Sequence, residues 1–283
     1  MKTNAKARLR LVAAMVIFGS IGIFRRYIPL PSGMIGACRG LMGMLFLLGV
    51  NLARGEKPSG KDIRANLPVL LLSGAAMGFN WILLFEAYRY TSVATATLCY
   101  YMAPIFVILA SPIVLKEKLT PGKLLCVAAA VLGVALVSGV SEAGSLTGIL
   151  LGLGAAVLYA CVILLNKHLG SVSTGDRTIV QLGTAGAVLV PYTLLAESFA
   201  GVAMDGMSIL MLLVVGAVHT GLAYWLYFGS MKELPAQTVA LYSYIDPIVA
   251  ILLSALILGE ALTPLGILGA ALVLGATRVS ERC

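Results

Sequence analysis

The chain has 283 residues, of which 60% are hydrophobic and 11% charged, and its mean hydropathy is +0.99. That is more apolar side chain than a soluble domain of this length can bury, which excludes a water-soluble globular protein and leaves an all-α polytopic membrane protein. The formal net charge of +8, from 20 Lys and Arg against 12 Asp and Glu, is mostly a membrane-orientation signal and requires no nucleic-acid partner.

Crossing about 30 Å of hydrocarbon takes about 20 helical residues. Ten such stretches begin near Leu9, Gly33, Leu67, Ser92, Pro121, Leu146, Thr178, Met207, Ala236 and Leu262. The first follows a basic N-terminus with no small-x-small cleavage site after it, so it reads as an uncleaved start signal. The second carries Gly33, Gly36, Gly40 and Gly43, which share one helical face and allow close backbone approach. It also holds Arg39, whose cost in hydrocarbon is roughly 2.5 to 3.5 kcal/mol unless a partner or water compensates it. Snorkelling to the external interface is one solution; anchoring an anionic substrate group is the other. The longest polar stretch, Arg54 to Asn66, separates this span from the third, which contains Asn80 and Trp81 and ends on Glu86 and Arg89.

The fourth span contains Tyr100, Tyr101 and Pro104, and Glu117-Lys118-Leu119-Thr120-Pro121 leads into the fifth. Proline at the first helical position explains that last motif structurally. The short loop Ser138 to Ser145, with Gly139 and Gly144, is a turn with no room for a domain linker. Gln181 lies in the seventh span, His219, Tyr224 and Trp225 in the eighth, and Tyr242, Tyr244, Asp246 and Pro247 in the ninth.

Much of this second half copies the first at one unbroken offset of 143 residues. Thr95, Leu98, Tyr101 and Pro104 recur as Thr238, Leu241, Tyr244 and Pro247, and Glu117, Leu119, Thr120 and Pro121 recur as Glu260, Leu262, Thr263 and Pro264. Five spans per unit is an odd number, so the two units, residues 1–143 and 144–283, are expected to be inverted in the membrane. With the N-terminus and C-terminus cytoplasmic, sixteen of the 20 Lys and Arg fall on the cytoplasmic side. Lys116, Lys118 and Lys123 have Gly259, Ala261 and Gly266 as repeat mates, as loops on opposite sides require.

Pro104 and Pro247 each remove a backbone donor and free a carbonyl four residues earlier, on Tyr100 and Ser243. Such breaks persist in a membrane where neighbouring helices or a wet cavity supply partners, so matched breaks point to a central cavity lined by both halves; a packing kink is the plain alternative. Asp246, beside Pro247, is the sharpest candidate: burial favours the protonated acid and hence proton coupling, whereas a nearby arginine favours a fixed ion pair. Its mate is Ala103, and near offset 142 the mate of Arg39 is Gln181, so the halves are chemically unequal. His219 could accept a proton near neutral pH or be a satisfied core residue. The aromatic set Trp81, Tyr100, Tyr101, Tyr224, Trp225, Tyr242 and Tyr244, with Asn80, suits a cavity that stacks an apolar moiety and hydrogen-bonds a polar head, and equally suits core packing.

Five scattered cysteines with no C-x-x-C, two histidines and no H-E-x-x-H argue against a metal site, and no cofactor is expected. An intramembrane lipid-modifying enzyme lacks G-x-S-x-G and paired central carboxylates. A channel or a non-transporting assembly partner is the other alternative. No G-x-x-x-x-G-K-[ST] phosphate loop supports primary active transport.

On the ten spans, the two halves, Pro104 with Glu117 to Pro121, and Asp246-Pro247 with Glu260 to Pro264, the chain resembles the EamA-type branch of the drug/metabolite transporter superfamily over essentially its full length. The resemblance implies an inverted-repeat bundle with spans five and ten peripheral, and transport of small metabolites, often amino acids, commonly outward. Within it Arg39 looks like the arginine frequent in the second span and Asp246 like the acid that often precedes proline in the ninth. The expectation is a secondary exporter of amino acids or similar amphipathic metabolites in a bacterial inner (plasma) membrane. It would work by alternating access, with protons as candidate coupling ion, the lipid bilayer as surroundings and a homodimer through the peripheral spans left open.

Overall fold

The computed structural model describes residues 2–91, 96, 99–138, 145–198, 202–258, 264–280 and 283. The span starts expected at Ser92 and Leu262, most of the Ser138 to Ser145 turn, and Glu260 to Thr263 lie outside the described residues. Every regular element among the described residues is helical: α1 (Lys2–Arg25), α2 (Ser32–Ala53), the short α3 (Gly60–Ala65), α4 (Leu67–Tyr90), α5 (Ala103–Val114), α6 (Pro121–Ser138), α7 (Leu146–Lys167), α8 (Thr174–Ala196), α9 (Gly206–Gly216), a π-helical segment (Ala217–Leu222), α10 (Ala223–Glu233), α11 (Ala236–Tyr242), α12 (Ile245–Leu258) and α13 (Pro264–Ser280).

The starts are written in the sequence. Side chains of Ser59, Ser145, Ser173 and Asp205 accept the backbone N–H three residues on, satisfying a donor that the first helical turn leaves unpaired. Pro121 and Pro264 open α6 and α13, where the missing N–H costs nothing. Arg177, fully buried in the first turn of α8, donates to the carbonyls of Asn166, Leu169 and Val172 and so closes the end of α7.

Six of the described helical columns are long and apolar enough to cross a membrane: Ala5–Arg25, Ser32–Ala53, Leu67–Tyr90, Leu146–Lys167, Thr174–Ala196 and Gly206–Glu233, of 21 to 28 residues. Their outer faces and those of the shorter helices carry large apolar side chains that no protein covers, including Ile113 at 84%, Leu195 at 89% and Leu256 at 81% exposure. In water such surface would aggregate; against lipid tails it is solvated. The chain is therefore an all-α polytopic membrane protein.

The eighth expected span is a single column whose middle, Ala217–Leu222, is π-helical, a feature that hydropathy does not reveal. The ninth is divided at Ser243 and Tyr244 into α11 and α12, and α5 begins just after a turn at Tyr101 and Met102. The two prolines thus lie in the first turns of new helices, after true breaks, where a kink within a continuous helix was the plain alternative.

Helix packing has an internal order. α6 packs on α13, α4 on α7 and α8, α2 on α8 and the π segment, α1 on α10 and α12, and α5 on α7 and α11. Replacing α1, α2, α4, α5 and α6 by α7, α8, the α9–α10 column, α12 and α13 turns α4·α7 into α10·α1, α4·α8 into the π segment on α2, and α5·α7 into α12·α1. It leaves α2·α8 and α6·α13 unchanged. The glycine face of α2 lies on the central seam: a Cβ at Gly40 would stand 3.1 Å from the Gly186 nitrogen, and one at Gly43 3.0 Å from the Gly221 nitrogen and 3.1 Å from the Gly216 carbonyl.

Candidate functional site

A cavity of about 30 Å³, enough for ordered water, lies at the two helix breaks and is lined by Met15, Phe18, Tyr100, Tyr101, Pro104, Tyr159, Ser243 and Asp246. α1 supplies Met15 and Phe18, and α7 supplies Tyr159. Tyr100 and Ser243 are repeat mates, so each half places its break residue on the same space. The ion pairs Arg10 with Glu233 and Arg89 with Glu86 lie away from it. Asp246 lines a small space that it shares with three tyrosines, Ser243 and the apolar Met15, Phe18 and Pro104.

An aromatic column runs from the cavity toward Arg39. Tyr100 lies 5.9 Å from Tyr101 and stacks on Tyr159 at 5.5 Å, ring centroid to centroid. Tyr159 and Tyr227 share a hydroxyl–hydroxyl hydrogen bond of 2.7 Å. Phe18 meets Tyr224 edge-on at 4.9 Å, Tyr224 lies 6.2 Å from Trp81, and the Arg39 guanidinium carbon stands 4.7 Å above the Trp81 ring. This cation–π contact and a hydrogen bond from Nε to Thr220 Oγ1 at 3.0 Å are what hold a partly buried arginine here.

The residues expected at a site from sequence are therefore distributed. Tyr100, Tyr101, Pro104 and Asp246 meet at the cavity, and Arg39, Trp81 and Tyr224 form the adjoining cluster. Pro247 and Tyr242 are buried on either side of the break; Tyr244 is fully buried and Trp225 half-buried against the core. Asn80 donates to the Ala155 carbonyl at 2.5 Å, joining α4 to α7. Gln181 exchanges amide hydrogen bonds of 3.1 Å with Asn166, which also donates to Ser73. Neither is brought to the cavity. His219 lies in the π segment, with Nε2 3.0 Å from Ser20 Oγ and its ring 4.5 Å from that of Phe24, and is not among the cavity-lining residues.

Sequence reasoning did not select Met15, Phe18, Tyr159, Tyr227 or Thr220. A signal existed for the first three: α1 and α7 are repeat mates, and the mate of Val16 is Tyr159, so both helices reach the cavity at the same depth. No comparable signal marks Thr220. Glu117, assigned to turn geometry, does more: its two oxygens accept the backbone N–H groups of Ala236 at 2.7 Å and Gln237 at 3.2 Å, capping α11 from the other half. Among the described residues no group of three or more His, Cys, Asp or Glu is arranged to hold a metal.

The EamA-like transporter family model matches residues 6–139 and again residues 146–280. The uncharacterized transporter YxxF of Bacillus subtilis is 33% identical over 91% of this chain and 84% of its own length. A "Probable amino-acid metabolite efflux pump" of Salmonella typhimurium is 25% identical over 77% of this chain and 78% of its own. A solved crystal structure superposes with a TM-score of 0.88 at 19% identity, covering 98% of this chain and 97% of that one; at that identity the likeness is one of fold.

Proposed function

The chain belongs to the EamA-like transporter family, is not an enzyme, and on that premise we propose a secondary carrier that exports amino acids or related amphipathic metabolites across a bacterial inner membrane. In this reading ten spans form two inverted five-helix repeats, residues 1–143 and 144–283, with both termini cytoplasmic. The halves rock about the cavity at the helix breaks. Support for the repeats comes from the two successive family matches, from a packing scheme that survives exchange of the halves, and from the 143-residue offset.

One observation carries the functional reading: a carboxyl group, Asp246, and a ring of tyrosines converge where both halves break, with Arg39 one aromatic layer away. An ammonium or a proton suits the acid, a carboxylate suits the arginine, and an apolar side chain suits the rings between them. The cavity accommodates water only, so a substrate requires the surrounding helices to part, as alternating access provides. The name of the Salmonella relative agrees with an amino-acid substrate.

Counterflow in proteoliposomes with pooled labelled amino acids tests this, comparing wild type with Asp246→Asn and Arg39→Gln with and without a pH gradient. Saturable exchange is expected, with each variant at least about tenfold slower, the scale of losing one hydrogen bond to a charged group. Transport that ignores the pH gradient while Asp246→Asn keeps full activity would end the proton-coupling reading. Non-saturable flux would replace the carrier by a channel, and a folded protein that moves no amino acid would turn the search to other metabolites.

A further inference from the structure

The interruption of the eighth span has a chemical consequence at Arg39. In α8 two helical threonines turn their hydroxyls back to the carbonyl four residues earlier, Thr178 to Thr174 at 2.7 Å and Thr184 to Val180 at 2.8 Å, a common habit of that side chain. Thr220 instead reaches five residues back, donating to the Val215 carbonyl at 2.9 Å, because the π-helical turn Ala217–Leu222 is wider by one residue. A threonine hydroxyl has one proton to give. With that proton on Val215, the oxygen lone pairs are turned to Arg39 and accept its Nε–H at 3.0 Å.

The turn itself is fixed against the helix that carries Arg39. Gly43, one helical turn beyond Arg39, meets the Gly216 carbonyl and the Gly221 nitrogen so closely that a Cβ there would stand 3.1 and 3.0 Å from them. Backbone therefore lies on backbone at both ends of the π segment. Trp81 covers one face of the guanidinium, and Thr220 occupies Nε. Among the described residues no other Arg39 nitrogen has a hydrogen-bond partner, which leaves the four N–H groups of Nη1 and Nη2. One N–H from each Nη lies along the end-on edge of the planar fork, and this pair matches the spacing of the two oxygens of a carboxylate.

We infer that Thr220, set out of α-helical register by the π turn, is a positioning residue that holds Arg39 with its Nη edge ready for a bidentate oxyanion, and so selects substrates carrying a carboxylate over their uncharged analogues. This rests on the carrier reading for its biological meaning but not for its geometry. Thr220 does not itself touch the substrate.

The test uses the full-length protein with Trp225→Phe, leaving Trp81 as the sole tryptophan of the two in the chain. Thr220→Val removes the hydroxyl at constant shape; Thr220→Ser keeps it. The first arm reads Trp81 fluorescence lifetime without any substrate, because the excited indole responds to the charge and the packing at its face, and both change when the guanidinium is released. A changed lifetime in Thr220→Val, restored in Thr220→Ser, is expected; identical lifetimes in all three proteins overturn the inference whatever the protein transports. The second arm measures inhibition of labelled phenylalanine counterflow by phenylalanine and by phenylalaninamide. Wild type and Thr220→Ser are expected to prefer the carboxylate by about tenfold or more, and Thr220→Val to lose most of that preference through KM, with the maximal rate kept. In an Arg39→Lys background, where no fork exists, Thr220→Val is expected to add nothing. Additive effects in that double-mutant cycle would mean that Thr220 does not act through Arg39 and would overturn the proposal. Thr220→Ala, which removes the hydroxyl without adding volume, takes the same readings should Thr220→Val fail to fold. Absence of phenylalanine exchange in wild type counts against the amino-acid reading alone, since the first arm still decides the positioning.

Discussion

Gly40 and Gly49 occupy the same helix and make opposite demands on it. A Cβ added at Gly40 would stand 3.1 Å from the Leu182 carbonyl and the Gly186 nitrogen and 3.2 Å from the Gly186 Cα. All three are backbone atoms of α8, so the clash is relieved only by moving one helix off the other. At Gly49 nothing lies within 4 Å, and alanine there simply improves helix propensity by about 0.5 to 1 kcal/mol. Gly40→Ala is accordingly expected to destabilise by about 1 to 3 kcal/mol, the cost of overpacking, and Gly49→Ala to be neutral or slightly stabilising. Thermal unfolding of the detergent-solubilised protein separates them, and equal midpoints would contradict a tight α2–α8 seam. At this scale the glycine spacing was legible because 3.6-residue periodicity places all four on one face. The duties of Asn80 and Gln181 were not, since an apolar helix gives no sign of its rotation and both amides turn to neighbouring helices.

Helix breaks show the same division between what a local pattern states and what packing adds. Two prolines at matched positions announced two interruptions, and the structure has a turn at Tyr101 and Met102 and another at Ser243 and Tyr244. The π segment has no such marker, because a wide turn is made by an extra residue of ordinary composition. The motif that begins with Glu117 was visible as a repeat, yet its work is done 119 positions away, at the N-terminus of α11. That seven-residue helix is too short to be stable by itself. It is tied to the first half by Glu117, by Lys123 Nζ donating to Gln237 Oε1 at 2.8 Å, and by Gln237 Nε2 donating to Ser111 Oγ at 2.7 Å. Glu117→Ala leaves two backbone N–H groups without their acceptor and is expected to cost about 1.5 to 3 kcal/mol, as for hydrogen bonds to a charged group. Glu117→Gln, with one acceptor oxygen left, should fall between. The order wild type, Gln, Ala in unfolding midpoint checks the cap; coincidence of all three would show that α11 is held by its apolar contacts instead.

For the whole molecule the decisive property of the proposed topology is its handedness with respect to the membrane, which charge and span count together support. In the proposed topology sixteen of the 20 Lys and Arg fall on one side, the side that the positive-inside rule assigns to the cytoplasm. With five spans in each unit, an odd number, the proposal puts equivalent loops of the two halves on opposite faces. The loop that carries α3 and the loop before α9 are such equivalents: at the 143-residue offset Gly60 corresponds to Ala203. The first holds Arg54, Lys57, Lys61 and Arg64, whereas the sequence of the second, residues 197–205, is without a cation and holds Glu197 and Asp205. That asymmetry is the one the positive-inside rule predicts for the proposed inversion. Lys61 and Ala203 are both exposed, so each can report its side. In a protein freed of its five native cysteines, Ala203→Cys is expected to react with a membrane-impermeant maleimide in intact cells, and Lys61→Cys only after the membrane is opened. Labelling of both from the same side would remove the inversion, and with it the mechanism in which one state of the carrier is the other with the halves exchanged. Labelling from opposite sides would mean that the exchange already present in the helix packing relates the two faces of the membrane.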